Sequence, residues 1–411
     1  MPDLYGLDVS ATGPAVDAWQ EGLLAGFSFD NSGIEQHSRA LELAPDFALG
    51  HATLARQFQI HGQREAAHAS LAKACSLDAH INEREASQIN VIRASMQFQT
   101  DTLDLALAHI ERWPLDITVF SMVVGPFGLL AFSGRESWRD DCLALQQKYR
   151  QVWPNEDWWY QSALGFALAE AAGPDNPVQL GAALEEAERA WQTKATGNCA
   201  HTLSHVYHER NEIDEARAFL QEWCASHGQS SDMRHHLVWH DTLYELDSGT
   251  ADAVALTALY QREFDPAVAD PMPLTTFSDN ASFLWRCCLH DATLDAHFAQ
   301  QTLAYAEEHF PSLEFGFAAV HRILITALLG SDAELKTLTE AIGDLKGNRN
   351  ASYFEQLLAG AIAFTQRDFD KSQAIFEPLV AHTVLMGGSN PQRSIVQQTY
   401  ERAKELAGNR A

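Results

Sequence analysis

The sequence predicts an all-α protein, an α-solenoid of helical hairpins that runs through residues 1–411 as a single superhelical domain. Three observations predict it. Strand signals, meaning alternating β-branched runs bounded by turns, are nearly absent. Windows of about 12 to 18 residues instead carry apolar side chains at spacings of three and four, separated by short Gly, Pro, Asp or Asn breaks. Finally, the framework of one hairpin recurs elsewhere in the chain.

That framework is clearest in PDFALGHATLARQFQIHGQREAAHASLAKACSL, which begins at Pro45. Its fixed points are Leu54, Ala55, Phe58, Gly62, Ala67, Leu71 and Ala74. Leu203, Ser204, Tyr207, Asn211, Ala216, Leu220 and Trp223 repeat the same offsets. Small residues (Ala55 and Ser204, Ala67 and Ala216) sit where two helices cross closely, and large ones fill the space beside them. Gly62 and Asn211 take the turn, where those two residue types adopt a left-handed backbone at little cost. This is the pattern of a tetratricopeptide-like repeat, a hairpin of about 34 residues that buries its apolar face only by stacking on neighbours. The clearest repeats are 45–78 and 198–225. A C-terminal hairpin is expected over 351–408, with its turn at Arg367 and Asp368. Windows such as DLALAHIERWP and AAVHRILITALLG bring the total to roughly twenty helices in about ten hairpins.

Composition excludes several classes of function. The net charge is −27, from 55 acids and 28 bases, and the acids are dispersed. Such a surface repels phosphate backbones and anionic lipid, so neither nucleic acid nor membrane is an expected partner. The most apolar stretch, VFSMVVGPFGLLAF at 119–132, is too short to span a bilayer. The first residues carry acids and no apolar run, against a secretory signal. Six cysteines are scattered with no CxxC pair, as expected for reduced thiols in a cytoplasmic protein.

Histidines mark the candidate site. His201, His205 and His208 lie within eight residues. At about 100° per residue they project from one stripe of a helix, away from the face of Leu203, Ser204 and Tyr207. In a repeat of this kind the first helix of each hairpin lines the concave groove, so the stripe is expected to face it. His236 and His240 repeat the spacing with Trp239 beside them, and His321 lies on a later apolar helix. Histidines four apart can chelate a metal or exchange protons near neutral pH. Thr202 follows His201, so HExxH is missing. No cofactor is predicted. Zinc or another transition metal at His201 and His205 needs a third ligand from His208, Glu209 or another helix. Each histidine alone also fits a plain core or groove position with satisfied hydrogen bonds.

Other candidates are Asp279, Trp285 and Arg286 in SDNASFLWRCCL. Asp279 suits an N-cap or a groove acid. Arg286 among apolar residues needs a partner acid or an anionic ligand. Trp158, Trp159 and Tyr160 fit a core better than a pocket wall. GGSNPQR at 387–393 reads as an inter-helix turn, with an anion-holding helix start as the rarer use. No phosphate loop, nucleophile elbow or dinucleotide fingerprint is present.

In series, LAPDFALGHA (43–52), EREA (83–86), GFALAEAAG (165–173), HTLSHVYHERNEIDEA (201–216), HLVWHDTLYELDSG (236–249), DNASFLWRC (279–287), FAAVHRILITALLG (317–330) and GGSNPQRSIVQQTY (387–400) form a recognisable order. With these pieces the chain resembles the tetratricopeptide repeat protein 38 family and its bacterial relatives. The family pattern has two histidines four apart and a Glu three residues later. His201 and His205 match it, with His208 in place of the Glu and Glu209 one position on. Trp239 and His240 match the second motif. In the third, Ala319 stands where the family has Asp, and His321 remains. Asn390 stands where the last motif commonly has His. The resemblance implies a helical-repeat fold and a soluble, cytosolic life, and it carries no reaction with it.

Two functions follow. The first is a binding or interaction protein whose groove, lined by the residues named above, takes a protein or peptide segment or a small, anionic ligand. The second is a soluble enzyme using His201, His205, His208, His236 and His240 for acid-base or metal-assisted chemistry.

Overall fold

Helix-starting chemistry is written along the chain. Asn82 and Glu85 form a reciprocal capping box. Asp116, Asp157, Thr196 and Asp368 each accept from a first-turn amide. Prolines open three helices, where their missing N–H costs nothing. In the computed structural model, residues 2–77, 81–173, 176–249, 252–268, 272–345 and 350–408 are described. The all-α expectation holds. Among the described residues there are 21 α-helices and no strand beyond isolated bridges.

The chain divides into two compact units, Met1–Arg234 and His235–Ala411. The first contains α1 (Pro14–Ser28), α2 (Gly33–Leu43), α3 (Ala48–Ile60), α4 (Arg64–Ser76), α5 (Glu83–Met96), α6 (Thr102–Arg112), α7 (Ile117–Val123), α8 (Trp138–Tyr149), α9 (Trp158–Ala171), α10 (Pro177–Thr193), α11 (Gly197–Glu209) and α12 (Ile213–Ser226). Apart from the first residue of α13, the second contains α13 (Arg234–Asp247), α14 (Ala253–Leu259), α15 (Pro273–Leu289), α16 (Ala296–His309), α17 (Gly316–Leu329), α18 (Asp332–Asp344), α19 (Ala351–Thr365), α20 (Phe369–Val380) and α21 (Asn390–Gly408).

Consecutive helices pair as hairpins: α1 with α2, α3 with α4, α9 with α10, α19 with α20. First helices also stack on first helices, α3 on α5 and α9 on α11 in one unit, α15 on α17 and α17 on α19 in the other. The repeat expected at 45–78 is α3–α4, with Asp78 outside the described residues. That at 198–225 is α11–α12. Residues 351–408 hold a hairpin and a further helix, α21, which packs on both α20 and α15. Gly387 and Gly388, at φ 75° and 81°, make the turn into it. Gln392 and Arg393 fill that turn, Gln392 accepting from the Ser389 amide and Arg393 donating to the Gly388 carbonyl. GGSNPQR is therefore an inter-helix turn closed by its own side chains.

The first unit joins its first hairpin to its last. The Asn31 amide donates to the Ser230 carbonyl at 3.0 Å, and the Asp232 amide to the Phe29 carbonyl at 2.8 Å. His61 lies 3.1 Å from Asp232, with both side chains largely buried. Gly197 makes the approach possible, since a Cβ there would stand 2.4 Å from Ser231 Oγ and 3.2 Å from the Ser28 carbonyl. Nothing in the local pattern of either segment announces this closure.

Trp153, Trp159, Tyr160 and Phe120 form an aromatic core cluster, as expected for Trp159 and Tyr160. Residues 119–132 make the end of α7 and the turns after it, and no described helix is long and apolar enough to cross a membrane.

Candidate functional site

In the first unit, α11 carries His201 and His205 one turn apart. Their Nε2 atoms are 3.0 Å from each other and their rings meet edge to face. The neighbouring helix α9 supplies the support. Glu170 accepts from His205 Nδ1 at 3.1 Å, and Phe166, one turn earlier, packs against both rings. His205 and Glu170 are 0% and 2% exposed, while His201 is half-buried. The carboxylate fixes the proton of His205 on Nδ1 and turns the Nε2 lone pair towards His201. Two nitrogens bound to one zinc at about 2.0–2.1 Å stand roughly 3.3 Å apart in a tetrahedron, so the observed spacing suits a shared ion. Thr202, where a zincin has its Glu, is bonded to Ser162 Oγ at 2.8 Å and serves the α9–α11 contact. His208 lies at the end of α11, half-buried.

The second unit repeats the device. His236 and His240 of α13 meet edge to face at 4.7 Å. His236 Nδ1 donates to Asp279 Oδ2 at 2.8 Å, and the carboxylate is 1% exposed. His235 Nε2 is 3.8 Å from the same oxygen, and its Nδ1 donates to the Glu263 carbonyl. Burial holds the pKa of His235 down, against the pull of Asp279. Trp239 stacks on His236 at 5.2 Å, and its indole donates to Ser282 Oγ.

Asp279 is no N-cap. It sits well inside α15, whose cap is Met272, and spends its charge on histidine. Among the described residues no acid pairs with Arg286, and neutral acceptors surround it. It donates to Gln398 Oε1, the Pro391 carbonyl, Ser394 Oγ and Ser282 Oγ, and lies over the Trp239 ring at 5.5 Å. Burial lowers its pKa to about 10, opposed by Asp247 and Asp279. Trp285 packs into the core, with its indole on Thr399 Oγ1 and Phe364 beside it. His321 of α17 donates from Nδ1 to the Phe317 carbonyl at 2.8 Å, and burial pushes its pKa down to about 4.

Sequence reasoning missed Glu170, Phe166 and Ser282. For Glu170 a signal existed: it is the single charged residue of α9. Its bond to His205 crosses between hairpins and has no local trace.

No family model matches the chain. Among solved structures, the TPR domain of P58(IPK) is 12% identical over 97% of this chain and 99% of that chain, with a TM-score of 0.21. Yeast Tom70 is 13% identical over 96% of each chain, with a TM-score of 0.29. Likeness at this level carries no argument about activity.

Proposed function

We propose that the chain is a helical-repeat binding protein whose histidine pairs hold a divalent transition metal of the zinc class. One observation carries the reading. In each unit a buried carboxylate takes the Nδ1 proton of one histidine of an i, i+4 pair, as at metal-ligating imidazoles. A plain core gains nothing from this arrangement, because burying a carboxylate beside imidazoles costs more than filling the space with apolar side chains. His208 and Glu209 are further potential donors on α11. Half-buried His201 leaves that pair reachable, so a small molecule or peptide group can complete the shell. A water in that position would permit metal-assisted acid-base chemistry, the second reading. The family resemblance and six cysteines that are all free thiols support a cytosolic setting for this role.

The test is equilibrium dialysis and native mass spectrometry of the full chain with zinc, then cobalt(II) spectroscopy. The expected result is saturable binding and a cobalt spectrum of nitrogen ligands. Glu170→Gln keeps the fold and weakens zinc by about 10- to 100-fold. His205→Ala and His240→Ala are scored separately, so each pair is judged by itself. A folded chain that retains neither zinc nor cobalt at micromolar concentration overturns the proposal.

A further inference from the structure

Three consecutive helices of the first unit bring a serine, a histidine and an aspartate together. Ser87 stands on α5, His109 near the end of α6, and Asp116 is the N-cap of α7. Ser87 Oγ lies 2.9 Å from His109 Nδ1, and His109 Nε2 lies 3.2 Å from Asp116 Oδ2. Arg84 donates to the same carboxylate oxygen at 2.7 Å, and the Val119 amide donates to Oδ1 at 3.4 Å. Burial acts to raise the Asp116 pKa, but the His109 hydrogen bond and the Arg84 charge outweigh it. The net shift is downward, so the carboxyl is ionised at neutral pH.

An ionised carboxylate only accepts. It therefore keeps the proton of His109 on Nε2 and turns the Nδ1 lone pair to Ser87, whose hydroxyl donates to it. Trp113 packs on the imidazole at 4.9 Å and holds it in place. Helical serines commonly bond a carbonyl one turn back, as Ser38 does to Ile34 and Ser226 to Glu222. Ser87 does not. Among the described residues, His109 is the sole hydrogen-bond partner of its hydroxyl. A hydroxyl, a base and an acid that orients the base, each within hydrogen-bond reach of the next, make an activated nucleophile. The base is 1% exposed, whereas Ser87 is half-buried beside exposed Ala86, so a small molecule can approach the oxygen from solvent. Glu83, one turn before Ser87, is paired with Arg112 at 2.6 Å, which favours an uncharged visitor.

We propose that Ser87 is a nucleophile with His109 as its base, and that it takes the acyl group of a small, uncharged carboxylic ester. Oγ forms a bond to the acyl carbon while its proton passes to His109 Nδ1. The bond from that carbon to the leaving oxygen then breaks, and the imidazolium gives the proton to the departing alcohol. Water next attacks the Ser87 ester and hands a proton to the same nitrogen. The acid leaves, and Oγ recovers its proton. The site is independent of the histidine pairs and stands if they bind no metal.

The experiment treats the full chain with a fluorophosphonate probe, from which Oγ displaces fluoride while His109 takes the hydroxyl proton. Intact mass and peptide mapping read the product. The expected result is one phosphonyl group per chain, carried by Ser87, with no label there when the chain is unfolded in urea. Ser87→Ala takes up no label and hydrolyses p-nitrophenyl acetate more slowly than the wild type. His109→Gln labels Ser87 about 100-fold more slowly or worse. Asp116 acts through His109, so Asp116→Asn slows labelling and Asp116→Glu, which keeps the acceptor, restores part of the rate. The proposal is overturned if Ser87 labels no faster in the folded chain than in the unfolded one, or if folded His109→Gln labels at the wild-type rate. Should His109→Gln fail to fold, the folded and unfolded wild-type chains still decide.

Discussion

Leu54, Ala55, Gly62, Ala67 and Leu71 of α3–α4 have their counterparts in Leu203, Ser204, Asn211, Ala216 and Leu220 of α11–α12. Both sets build the same crossing and the same turn. The row beside them is different. Ala52, Arg56 and Gln59 in one hairpin become His201, His205 and His208 in the other. The framework is thus free of the chemistry it presents, and each hairpin can carry its own. The largest test of this separation lies in the frame. Leu54→Ala and Leu203→Ala, at two buried positions, are each expected to cost about 2–5 kcal/mol in urea unfolding, with unchanged metal stoichiometry. A cost below about 1 kcal/mol in either would mean that the two hairpins do not pack alike.

A third hairpin sharpens the contrast through pH. His37 of α2 is fully buried against Gly22, where a Cβ would stand 2.9 Å from the imidazole. Neither ring nitrogen has a hydrogen-bond partner among the described residues, and burial lowers the pKa to about 3. Here a histidine is a core residue with no carboxylate behind it, unlike His205. Its folded pKa lies below the unfolded value of about 6.5, so the unfolded chain binds the proton first. The associated stability is complete above pH 6.5 and is lost as pH falls towards 3. The slope is up to about 1.4 kcal/mol per pH unit, or about 2 kcal/mol by pH 5. His37→Leu should remove one proton from that slope and leave stability at pH 8 within about 1 kcal/mol of the wild type. An unchanged slope in the variant would show that His37 does not titrate as a buried neutral ring.

How much of this was legible depends on where each partner sits. The all-α class, the turns at Gly62 and Asn211 and the helices around the two clear repeats are set by residues within one hairpin, and local spacing displays them. The stripe of His201 and His205 was legible for the same reason. Glu170 belongs to another hairpin, so its role needed the packing of α9 on α11. Asp279 misled because an acid near a Ser and an Asn resembles a cap, whereas α15 begins earlier at Pro273. The neutral oxygens around Arg286 come from α15 and from the distant α21, so the sequence around Arg286 could not display them.

The turns give the smallest effects and the finest comparison. A left-handed residue closes hairpin after hairpin: Phe29, Gly62, Phe98, Asn211, Gly249, Asp291, Gly330 and Arg367 all have φ between 52° and 70°. Only some of them are residue types that favour that region, which is why the repeat looked degenerate in sequence while its geometry recurs. Gly62→Ala should cost about 1–2 kcal/mol, because a Cβ in that region meets the following carbonyl. Phe98→Gly should do the opposite. Phe98 is 81% exposed, so little packing is lost, and the relief of strain outweighs the added freedom of the unfolded chain by about 0.5–1 kcal/mol. Asn211→Gly should change stability by only a few tenths of a kcal/mol, since Asn already tolerates the conformation. Chemical denaturation of the three variants at one pH ranks them. If Phe98→Gly proves destabilising, the turn after α5 does not share the backbone of the turns after α3 and α11, and the repeat is narrower than the common geometry implies.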